Sequence, residues 1–189
     1  MCSSDLSDAY INIWVAERNF RVLQKAWNEI RKNVVKNNIN ADLIMWAQMW
    51  SVRFSSFLAK SLWIEESVYT EKEDEDMKLK RHDVELNWRK VILCEDVVTK
   101  WSTITKMIEI VNSQWWEVVW VASIVNRTGW EDFDGIPLFY CYKPKPFNMF
   151  YDEKTPEDQK QNAKPLESWA QICEKPKNAW WELVLSMRK

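Results

Sequence analysis

Glycine and histidine are nearly absent from this chain. Its 189 residues include 2 Gly, whereas average usage of roughly 7% corresponds to about 13. The single histidine, His82, lies in a charged stretch, so a Ser/His/Asp hydrolase site and a histidine-rich metal site both lack support. The four cysteines include no Cys-x-x-Cys pair. Neither a zinc site nor a disulfide framework is therefore expected, and a reducing cytoplasm is the expected location.

Long apolar runs and a strong excess of one charge are also missing. The longest apolar run, residues 118–125, has eight residues, which suits a buried strand and is too short for a membrane span. The formal charge of -2 and the pI near 5.6 argue against nucleic acid as a partner. With 47% hydrophobic and 29% charged residues, the chain has enough apolar surface for a core. We expect residues 1–189 to form a single soluble domain without a membrane partner.

Tryptophan is as abundant as glycine is scarce, with 14 residues. Many of them occupy predicted turns, loops and helix ends, where glycine is the usual residue: Trp46, Trp50, Trp63, Trp88, Trp101, Trp115, Trp116 and Trp130. A tryptophan-rich surface for stacking or carbohydrate binding does not account for this choice of turn and cap positions. We therefore hypothesise that most of these tryptophans stand at glycine positions. A lineage that reads the codon UGA as glycine accounts for the pattern, and UGG codons at these positions would exclude it.

Helical and strand patterns alternate along the chain. Helical spacing is found at residues 18–35, 51–62, 102–111 and about 178–187, and strand patterns at 42–45, 67–70, 77–86, 91–94, 118–125 and 137–142. We predict that 77–86 pairs as a hairpin with 91–94 through Asn87 and Trp88, and that 71–76 is too charged to pack. Residues 143–176 read as extended. The alternation predicts an α/β fold with a central, mainly parallel sheet flanked by helices, as in Rossmann-like folds.

The stretch 91–103 combines an apolar run, two adjacent acids and a Thr/Ser loop. Glu95 and Asp96 end the predicted strand, and the next helix begins at Ser102. Unpaired backbone N–H groups and the helix dipole make such a helix start an anion site. A loop of this kind needs glycine where its backbone touches phosphate, and Trp101 stands there. We predict that the acid pair lies at the carboxyl ends of the strands, near the topological switch point of the sheet.

The string V-I-L-C-E-D-V-V-T-K-W-S-T-I-T, with Gly read for Trp101, resembles the phosphoribosyl-pyrophosphate signature of type I phosphoribosyltransferases. Other segments resemble the orotate enzymes of that family: 41–51 the pyrophosphate loop, 69–72 and 77–81 the edges of the mobile catalytic loop, and 121–129 the base-site loop. The segment S7-D-A-Y10 resembles the end of that family's S-G-x-x-S-x-x-Y segment. The helices that the family has before this point are missing, and residues 1–6 look unrelated. We expect a truncated or misjoined start, and a C-terminal extension with a helix at 143–189.

The resemblance implies an orotate phosphoribosyltransferase, which transfers phosphoribose from phosphoribosyl pyrophosphate to orotate. The products are orotidine 5'-monophosphate and pyrophosphate, in the biosynthesis of UMP. By the same resemblance the enzyme is a homodimer in which the mobile loop of one subunit completes the neighbour's site. The cofactor is Mg²⁺, held mainly through pyrophosphate and ribose oxygens rather than by a protein cage.

The resemblance also assigns roles to residues, by their place in the matching segments. The catalytic residues are Glu95 and Asp96, at the ribose, and Lys72, over the leaving pyrophosphate. Two loops bind the phosphate groups: Ala47, Gln48, Met49, Trp50 and Ser51 at the pyrophosphate, and Thr99, Lys100, Trp101, Ser102 and Thr103 at the 5'-phosphate. Arg127 holds the carboxylate or carbonyl edge of orotate.

Other readings stay open. A phosphoribosyltransferase for a purine or for uracil would keep the signature. A non-catalytic regulator of the same fold would bind phosphoribosyl pyrophosphate without turnover; such regulators usually have a basic surface, and the net charge argues against one. A generic doubly wound nucleotide binder does not explain the spacing E-D-x-x-T-x-x-S-T. Adjacent acids at a strand end, and a lysine within a charged run, are also often merely solvated.

Overall fold

The computed structural model describes residues 6–7, 13, 18–47, 51–73, 76–79, 88–99, 101–144, 149–151, 160 and 163–165. Contacts divide the chain into two compact units. One comprises residues 13–144, and the other residues 1–12 with 145–189. The single domain over 1–189 stays a prediction. No helix among these described ranges is both long and apolar enough to cross a membrane.

Helices and strands alternate over most of the described chain. The helices are α1 (Phe20–Lys36), α2 (Val52–Leu62) and α3 (Ser102–Ser113). The strands are β1 (Leu6–Ser7), β2 (Leu43–Ala47), β3 (Glu66–Glu73), β4 (Asp76–Leu79), β5 (Lys90–Val98), β6 (Glu117–Asn126), β7 (Asp132–Phe133), β8 (Ile136–Tyr142), β9 (Met149–Tyr151) and β10 (Lys164–Pro165). The three predicted helices within this region and the strand runs at 42–45, 67–70, 91–94, 118–125 and 137–142 are confirmed. The helix predicted at about 178–187 lies outside the described residues.

A seven-stranded sheet organises the unit 13–144. Its strand order is β4-β3-β2-β5-β6-β8-β7, and the five central strands are parallel. The edge strands β4 and β7 pair antiparallel with β3 and β8. In the other unit, β9 pairs with β1 and β10 in a small three-stranded sheet. The predicted α/β fold with a mainly parallel central sheet is confirmed.

The predicted hairpin between 77–86 and 91–94 is wrong. Residues 76–79 form β4, which pairs antiparallel with β3 at the sheet edge, while β5 is flanked on both sides by parallel strands. The segment 71–76 also belongs partly to this edge pair, since β3 extends to Glu73. An edge hairpin buries only one face, and that is why charged residues fit there: Thr70 and Met77 are buried while Lys78 is exposed.

Helices cover both faces of the sheet. On one face α3 buries Ile104, Met107 and Val111 in a cluster with alternate residues of the central strands, such as Met45 and Leu93. No described residue of α1 or α2 belongs to that cluster. Those two helices pack against each other, through the stacked rings of Trp27 and Phe57, and α1 also contacts β8. The strands are therefore buried on both faces, as their near-continuous apolar sequences indicate.

The predicted glycine-like backbone is confirmed at two tryptophans. Trp63 ends α2 with φ +59°, and Trp115 follows α3 with φ +60°, both in the left-handed region. The expectation is wrong at Trp46 and Trp116. Trp46 lies inside β2, and Trp116 packs into the cluster under α3. Trp101 has φ -76°, in the right-handed helical region.

Neither Trp88 nor Trp130 is among the described residues that have a positive φ. Both side chains are more than half exposed. The hairpin expected at Trp88 is not formed, so the glycine requirement inferred for it from a two-residue turn does not apply. Trp130 does follow Gly129, which has φ +82°, as the sequence indicates.

Candidate functional site

The carboxyl ends of β2 and β5 meet at the point where the sheet reverses its winding. The chain leaves β2 through α2 to reach β3 on one side, and leaves β5 through α3 to reach β6 on the other. The two strands pair directly, with Met45 opposite Leu93 and Trp46 opposite Cys94. Glu95 and Asp96 follow at once on β5. The acid pair therefore lies at the topological switch point, the place where open α/β sheets bind ligands, as predicted.

The two acids form a close, largely buried pair. Glu95 is partly exposed as a residue, but its Oε2 is buried without a hydrogen-bond partner. Burial raises the pKa of Glu95 well above its usual value, and the charge and hydrogen bond of Asp96 raise it further. Burial also raises the pKa of Asp96, although the backbone N–H of Val97, which donates to Oδ1 at 2.8 Å, opposes this rise. Burial and the neighbouring carboxyl therefore both favour the protonated form of Glu95.

The backbone beneath the acid pair is held from the neighbouring strand. The buried Oγ of Ser123 on β6 lies 3.2 Å from the carbonyl oxygen of Asp96 and 2.8 Å from that of Val125. Cys94, directly before the pair, is fully buried, and burial raises the pKa of its thiol. Such a thiol stays protonated and is a core residue rather than a nucleophile.

The helices at the switch point start without side-chain caps. The N-cap residues Ser51 of α2 and Trp101 of α3 make no capping hydrogen bond, and neither first turn contains an acid. By contrast, α1 is capped by Asn19, whose Oδ1 accepts from the N–H of Arg21 at 3.0 Å. The first N–H groups of a helix need partners. Two helix starts without side-chain acceptors, one after β2 and one after β5, can therefore each bind an anion.

Ser51 uses its hydroxyl to contact the backbone of β2 and β5 instead of capping α2. Its Oγ lies 3.1 Å from the carbonyl oxygen of Ala47 and 3.4 Å from that of Cys94. The residue is fully buried. It therefore links the start of α2 to the strand end that carries the acids.

Trp101 packs its indole against an aromatic group formed with Trp130 and Phe133. The ring centroids lie 5.8 Å from Trp130 and 4.7 Å from Phe133. The indole is buried, and its Nε1 has no hydrogen-bond partner. A large side chain thus fills the space between the loop after β5 and the loop after β6.

The loop after β6 is built around Asn126. Its Oδ1 accepts from the backbone N–H of Thr128 at 3.0 Å and from the Thr128 hydroxyl at 2.7 Å. Its Nδ2 donates to the carbonyl oxygen of Trp130 at 2.7 Å. The backbone N–H of Arg127 donates to the carbonyl oxygen of Val98 at 2.8 Å, which ties this loop to the end of β5. Arg127 is thereby placed beside the loop that carries Trp101.

A cluster on β8 holds the same loop from outside. The Nζ of Lys143 donates to the carbonyl oxygen of Gly129 at 3.0 Å and to Oε1 of Glu131 at 2.6 Å. The hydroxyl of Tyr140 lies 2.9 Å from Oε2 of the same carboxylate. The hydrogen bond from Lys143 lowers the pKa of Glu131. The loop is therefore fixed at both ends before any ligand binds.

The structure brings together most of the residues predicted for the site. Glu95, Asp96, Ala47, Ser51 and Arg127 surround the ends of β2, β5 and β6. Thr99 and Trp101 lie in the loop after β5, and Ser102 and Thr103 begin α3. Lys72 lies on β3, where its backbone pairs with Met77 of the edge hairpin. The predictions for Gln48, Met49, Trp50 and Lys100 fall outside the described residues.

The sequence reasoning missed the two groups that hold the base-site loop. Asn126 had a usable signal, because Asn followed by Thr and Gly within three residues is typical of a side-chain-stabilised turn. Lys143 and Tyr140 had none, since they reach Glu131 only through the pairing of β8 with β6 and β7.

The described residues show no cluster of metal ligands, and one groove lies away from the acid pair. The described residues include no group of three or more His, Cys, Asp or Glu that could hold a metal ion. A shallow groove of about 620 Å³ is lined by α1 residues alone, on a charged, solvated helix face that includes the Lys32–Glu29 ion pair. It contains no strand end, and we place the site at the acid pair.

Comparisons with known proteins find relatives in sequence and in fold. Orotate phosphoribosyltransferase from Caldicellulosiruptor bescii is 37% identical over 97 residues, which cover 51% of this chain and 50% of that protein. The corresponding enzyme from Carboxydothermus hydrogenoformans is 30% identical over 107 residues, covering 57% of this chain and 56% of that protein. The chain thus spans about half the length of the curated relatives it matches. No family model matches it.

Solved structures show the same arrangement of strands and helices. Adenine phosphoribosyltransferase from Thermoanaerobacter pseudethanolicus superposes with a TM-score of 0.61 and 17% identity, covering 71% of this chain and 87% of that one. Orotate phosphoribosyltransferase from Aeropyrum pernix superposes with a TM-score of 0.55 and 16% identity, covering 71% and 78%. Sequence identity this low supports a similarity of fold alone. The chain has the type I phosphoribosyltransferase fold, and the curated proteins that it resembles in sequence are orotate phosphoribosyltransferases.

Proposed function

We propose that the protein transfers the phosphoribosyl group of phosphoribosyl pyrophosphate to orotate, forming orotidine 5'-monophosphate and pyrophosphate in UMP biosynthesis. The observation that carries this proposal is the pair of helix starts without side-chain caps, α2 and α3, on either side of the acid pair. A substrate with a 5'-phosphate, a ribose and a pyrophosphate matches that order of groups. The curated relatives supply orotate as the acceptor.

Glu95 and Asp96 act on the ribose. The bond from ribose C1 to pyrophosphate breaks and pyrophosphate leaves with the electron pair. The orotate nitrogen bonds to C1 and releases its proton to solvent, and positive charge develops on the ribose in between. Carboxylates at this position accept hydrogen bonds from the ribose hydroxyls and stabilise that charge. The raised pKa of Glu95 means that protonation lowers the charge that the fold has to bury there.

The helix starts position the phosphate groups. The first N–H groups of α3, with the hydroxyls of Ser102 and Thr103, hold the 5'-phosphate, and the loop from Ala47 to Ser51 at the start of α2 holds the pyrophosphate. Mg²⁺ suits this site, because the carboxylates, the buried Oε2 of Glu95 among them, are hard oxygen donors. When bound, Mg²⁺ would supply positive charge against the leaving pyrophosphate, with most of its ligands expected from substrate oxygens.

Two cations complete the proposed site. Lys72 stands on β3, which pairs with β2 and forms the edge hairpin with β4. This hairpin matches the edges of the family's mobile loop, and we assign Lys72 to the leaving pyrophosphate. Arg127 lies on the loop tied to the end of β5, and we assign it to the carboxylate or carbonyl edge of orotate.

The loss of orotate absorbance on adding phosphoribosyl pyrophosphate and Mg²⁺ tests the activity. We expect turnover in a chain with glycine at positions 63, 101, 115 and 120. Absence of turnover with any base in that chain removes the enzyme assignment.

The role of Asp96 is tested by Asp96→Asn in the same chain. We expect kcat to fall by about 10²- to 10³-fold, because one preorganised electrostatic contact to the reacting group is lost. Asp134→Asn is the matched control. It makes the same chemical change at an exposed turn residue with φ +49°, a conformation that Asn tolerates. Equal activity of the two variants would contradict the assignment of Asp96.

We also propose that the active form is a homodimer in which the edge hairpin of one subunit completes its neighbour's site. Mixing Lys72→Ala subunits with Asp96→Asn subunits tests this. Shared sites predict recovery of part of the activity in the mixture, since some heterodimers contain one intact site. No recovery at all would contradict the sharing.

Another base is the second candidate, because a solved adenine enzyme superposes on this fold with a TM-score of 0.61, against 0.55 for an orotate enzyme. A panel of orotate, adenine, hypoxanthine, guanine and uracil separates the two. Binding of phosphoribosyl pyrophosphate without turnover of any base would point instead to a non-catalytic regulator.

A further inference from the structure

The three described helices all end with a residue in the left-handed region. Asn38 follows α1 with φ +50°, Trp63 ends α2 with φ +59°, and Trp115 follows α3 with φ +60°. This conformation closes a helix by letting the next N–H groups reach back to its last carbonyl oxygens. The N–H of Ile64 donates to the carbonyl oxygen of Ala59 at 3.0 Å in this way.

Tryptophan does not suit that backbone. Apart from Trp63 and Trp115, the described residues with positive φ are Asn38, Asp134, Gly129 and Gly135, and these residue types tolerate it. A bulky side chain there is an outlier, because its Cβ crowds the following carbonyl oxygen. Tryptophan nevertheless stands at the ends of two of the three described helices.

Packing does not explain the two residues either. The side chains of Trp63 and Trp115 are 88% and 84% exposed, the largest values among the described large hydrophobic residues. An indole that is left in water gains little from the fold. Glycine suits both positions, since it adopts this backbone freely and exposes no apolar surface.

Two buried tryptophans show a different misfit. The indole Nε1 atoms of Trp101 and Trp120 are buried without hydrogen-bond partners. Buried indoles normally find a partner for this N–H group. Trp120 also lies where the β5–β6 register shifts, since Val91 pairs with Val118 but Ile92 pairs with Trp120. Strand irregularities of this kind are typical glycine positions, and the sequence pattern alone had placed this residue in an ordinary buried strand.

We infer that the protein in its own cell carries glycine at positions 63 and 115, and by the same change of decoding at 101 and 120. One cause covers all four, namely a UGA codon that the organism reads as glycine. The assignment at 63 and 115 is independent of the proposed function. At 101 it deepens that function and rests on it. Glycine there removes an indole from the space beside the start of α3, where the 5'-phosphate is proposed to bind.

Peptide mass spectrometry of the protein purified from the organism that encodes it tests the inference without any assay of activity. Trypsin releases residues 61–72, which contain position 63, and residues 107–127, which contain positions 115 and 120. The peptide 101–106 reports on position 101. We expect the masses and fragment ions of glycine at all four positions, and UGA codons in the gene. Tryptophan at position 63 or 115, or UGG codons there, overturns the inference.

A stability measurement on the recombinant chain provides the second arm. We expect Trp63→Gly to raise the unfolding midpoint by about 2 to 4 °C, because it removes left-handed strain and leaves no cavity. Trp27→Gly is the matched control, since that indole stacks on Phe57 at 4.5 Å within the regular helix α1. We expect the control to lower the midpoint. A fall for Trp63→Gly as large as that for the control overturns the inference.

Discussion

The two ends of helix α3 carry the same residue type in opposite circumstances. At its start, Trp101 has an ordinary right-handed backbone and a buried indole that contacts Trp130 and Phe133. Just after its end, Trp115 has a left-handed backbone and an indole that is 84% exposed. The first residue fits its backbone and obstructs the proposed phosphate site. The second obstructs nothing and strains its backbone.

The two positions therefore affect different properties of the protein. Replacing the side chain at 101 alters what the loop after β5 can bind and removes a packed indole, whereas replacing it at 115 alters only how easily the helix ends. We expect the change at 101 to affect both turnover and stability, and the change at 115 to affect stability alone.

The largest expected effect is on turnover. As written, the chain should bind phosphoribosyl pyrophosphate poorly. Glycine at 101 alone should not suffice, because Trp63 and Trp115 strain two helix ends and Trp120 lies at a strand irregularity. We expect a chain with glycine at positions 63, 101, 115 and 120 to raise kcat/KM by at least about 100-fold. The reason is that misplacing a reacting group by about 1 Å costs about that factor. The measurement is the loss of orotate absorbance. Full activity of the tryptophan-containing chain would contradict obstruction of the phosphate site by Trp101.

The second effect is a difference in sign between the two ends of α3. We expect Trp101→Gly to lower the unfolding midpoint by about 5 °C or more, because it removes a buried indole from its aromatic neighbours. Trp115→Gly should raise it by about 2 to 4 °C through loss of left-handed strain. Thermal unfolding monitored by circular dichroism measures both. Shifts of the same sign would contradict the contrast between the two ends.

The third effect concerns pH and the acid pair beside the start of α3. The pKa of Glu95 in the folded protein is raised above 4.5, so the protonated carboxyl is the form that the fold favours. Its contribution is fully present below about 4.5 and is lost as the pH rises through the raised value. We expect Glu95→Gln to weaken this fall in stability with pH while abolishing most activity. Urea unfolding from pH 5 to pH 9 measures it, and an unchanged pH profile would contradict a raised pKa of Glu95 in the folded protein.

The smallest effect is expected at the clamp on the base-site loop that faces Trp101. Lys143→Met removes the bonds to Gly129 and Glu131, so the loop that carries Arg127 becomes less ordered. In the glycine-containing chain we expect KM for orotate to rise about 2- to 5-fold, with kcat and the unfolding midpoint nearly unchanged, because exposed ion pairs contribute little to stability. Lys143→Arg keeps the charge and serves as the control. A change in kcat without a change in KM would contradict a positioning role.

Local patterns predicted most of the secondary structure of the unit 13–144. Helical spacing and apolar runs report on burial within a few residues, and the strands and helices they predict are present. Which strands pair with each other was harder to predict from the sequence. The sequence placed β4 beside β5 because the two are neighbours along the chain, whereas β4 pairs with β3 and parallel strands flank β5 on both sides.

The candidate site divides in the same way. The acids Glu95 and Asp96 were predictable, because a buried strand, two acids and a helix start are contiguous. The clamp of Lys143, Tyr140 and Glu131 was not, since it joins the loop after β6 to β8 only through sheet pairing.

The sequence by itself determined the alternation of elements, the acid pair at a strand end and the helix ends where glycine is expected, since each depends on residues close together in the chain. Only the tertiary structure decided that the starts of α2 and α3 flank that acid pair, and that the indole of Trp101 fills the space between two loops. These are distances between segments far apart in sequence. They depend on how the strands pair and how the helices pack, which local propensity does not specify.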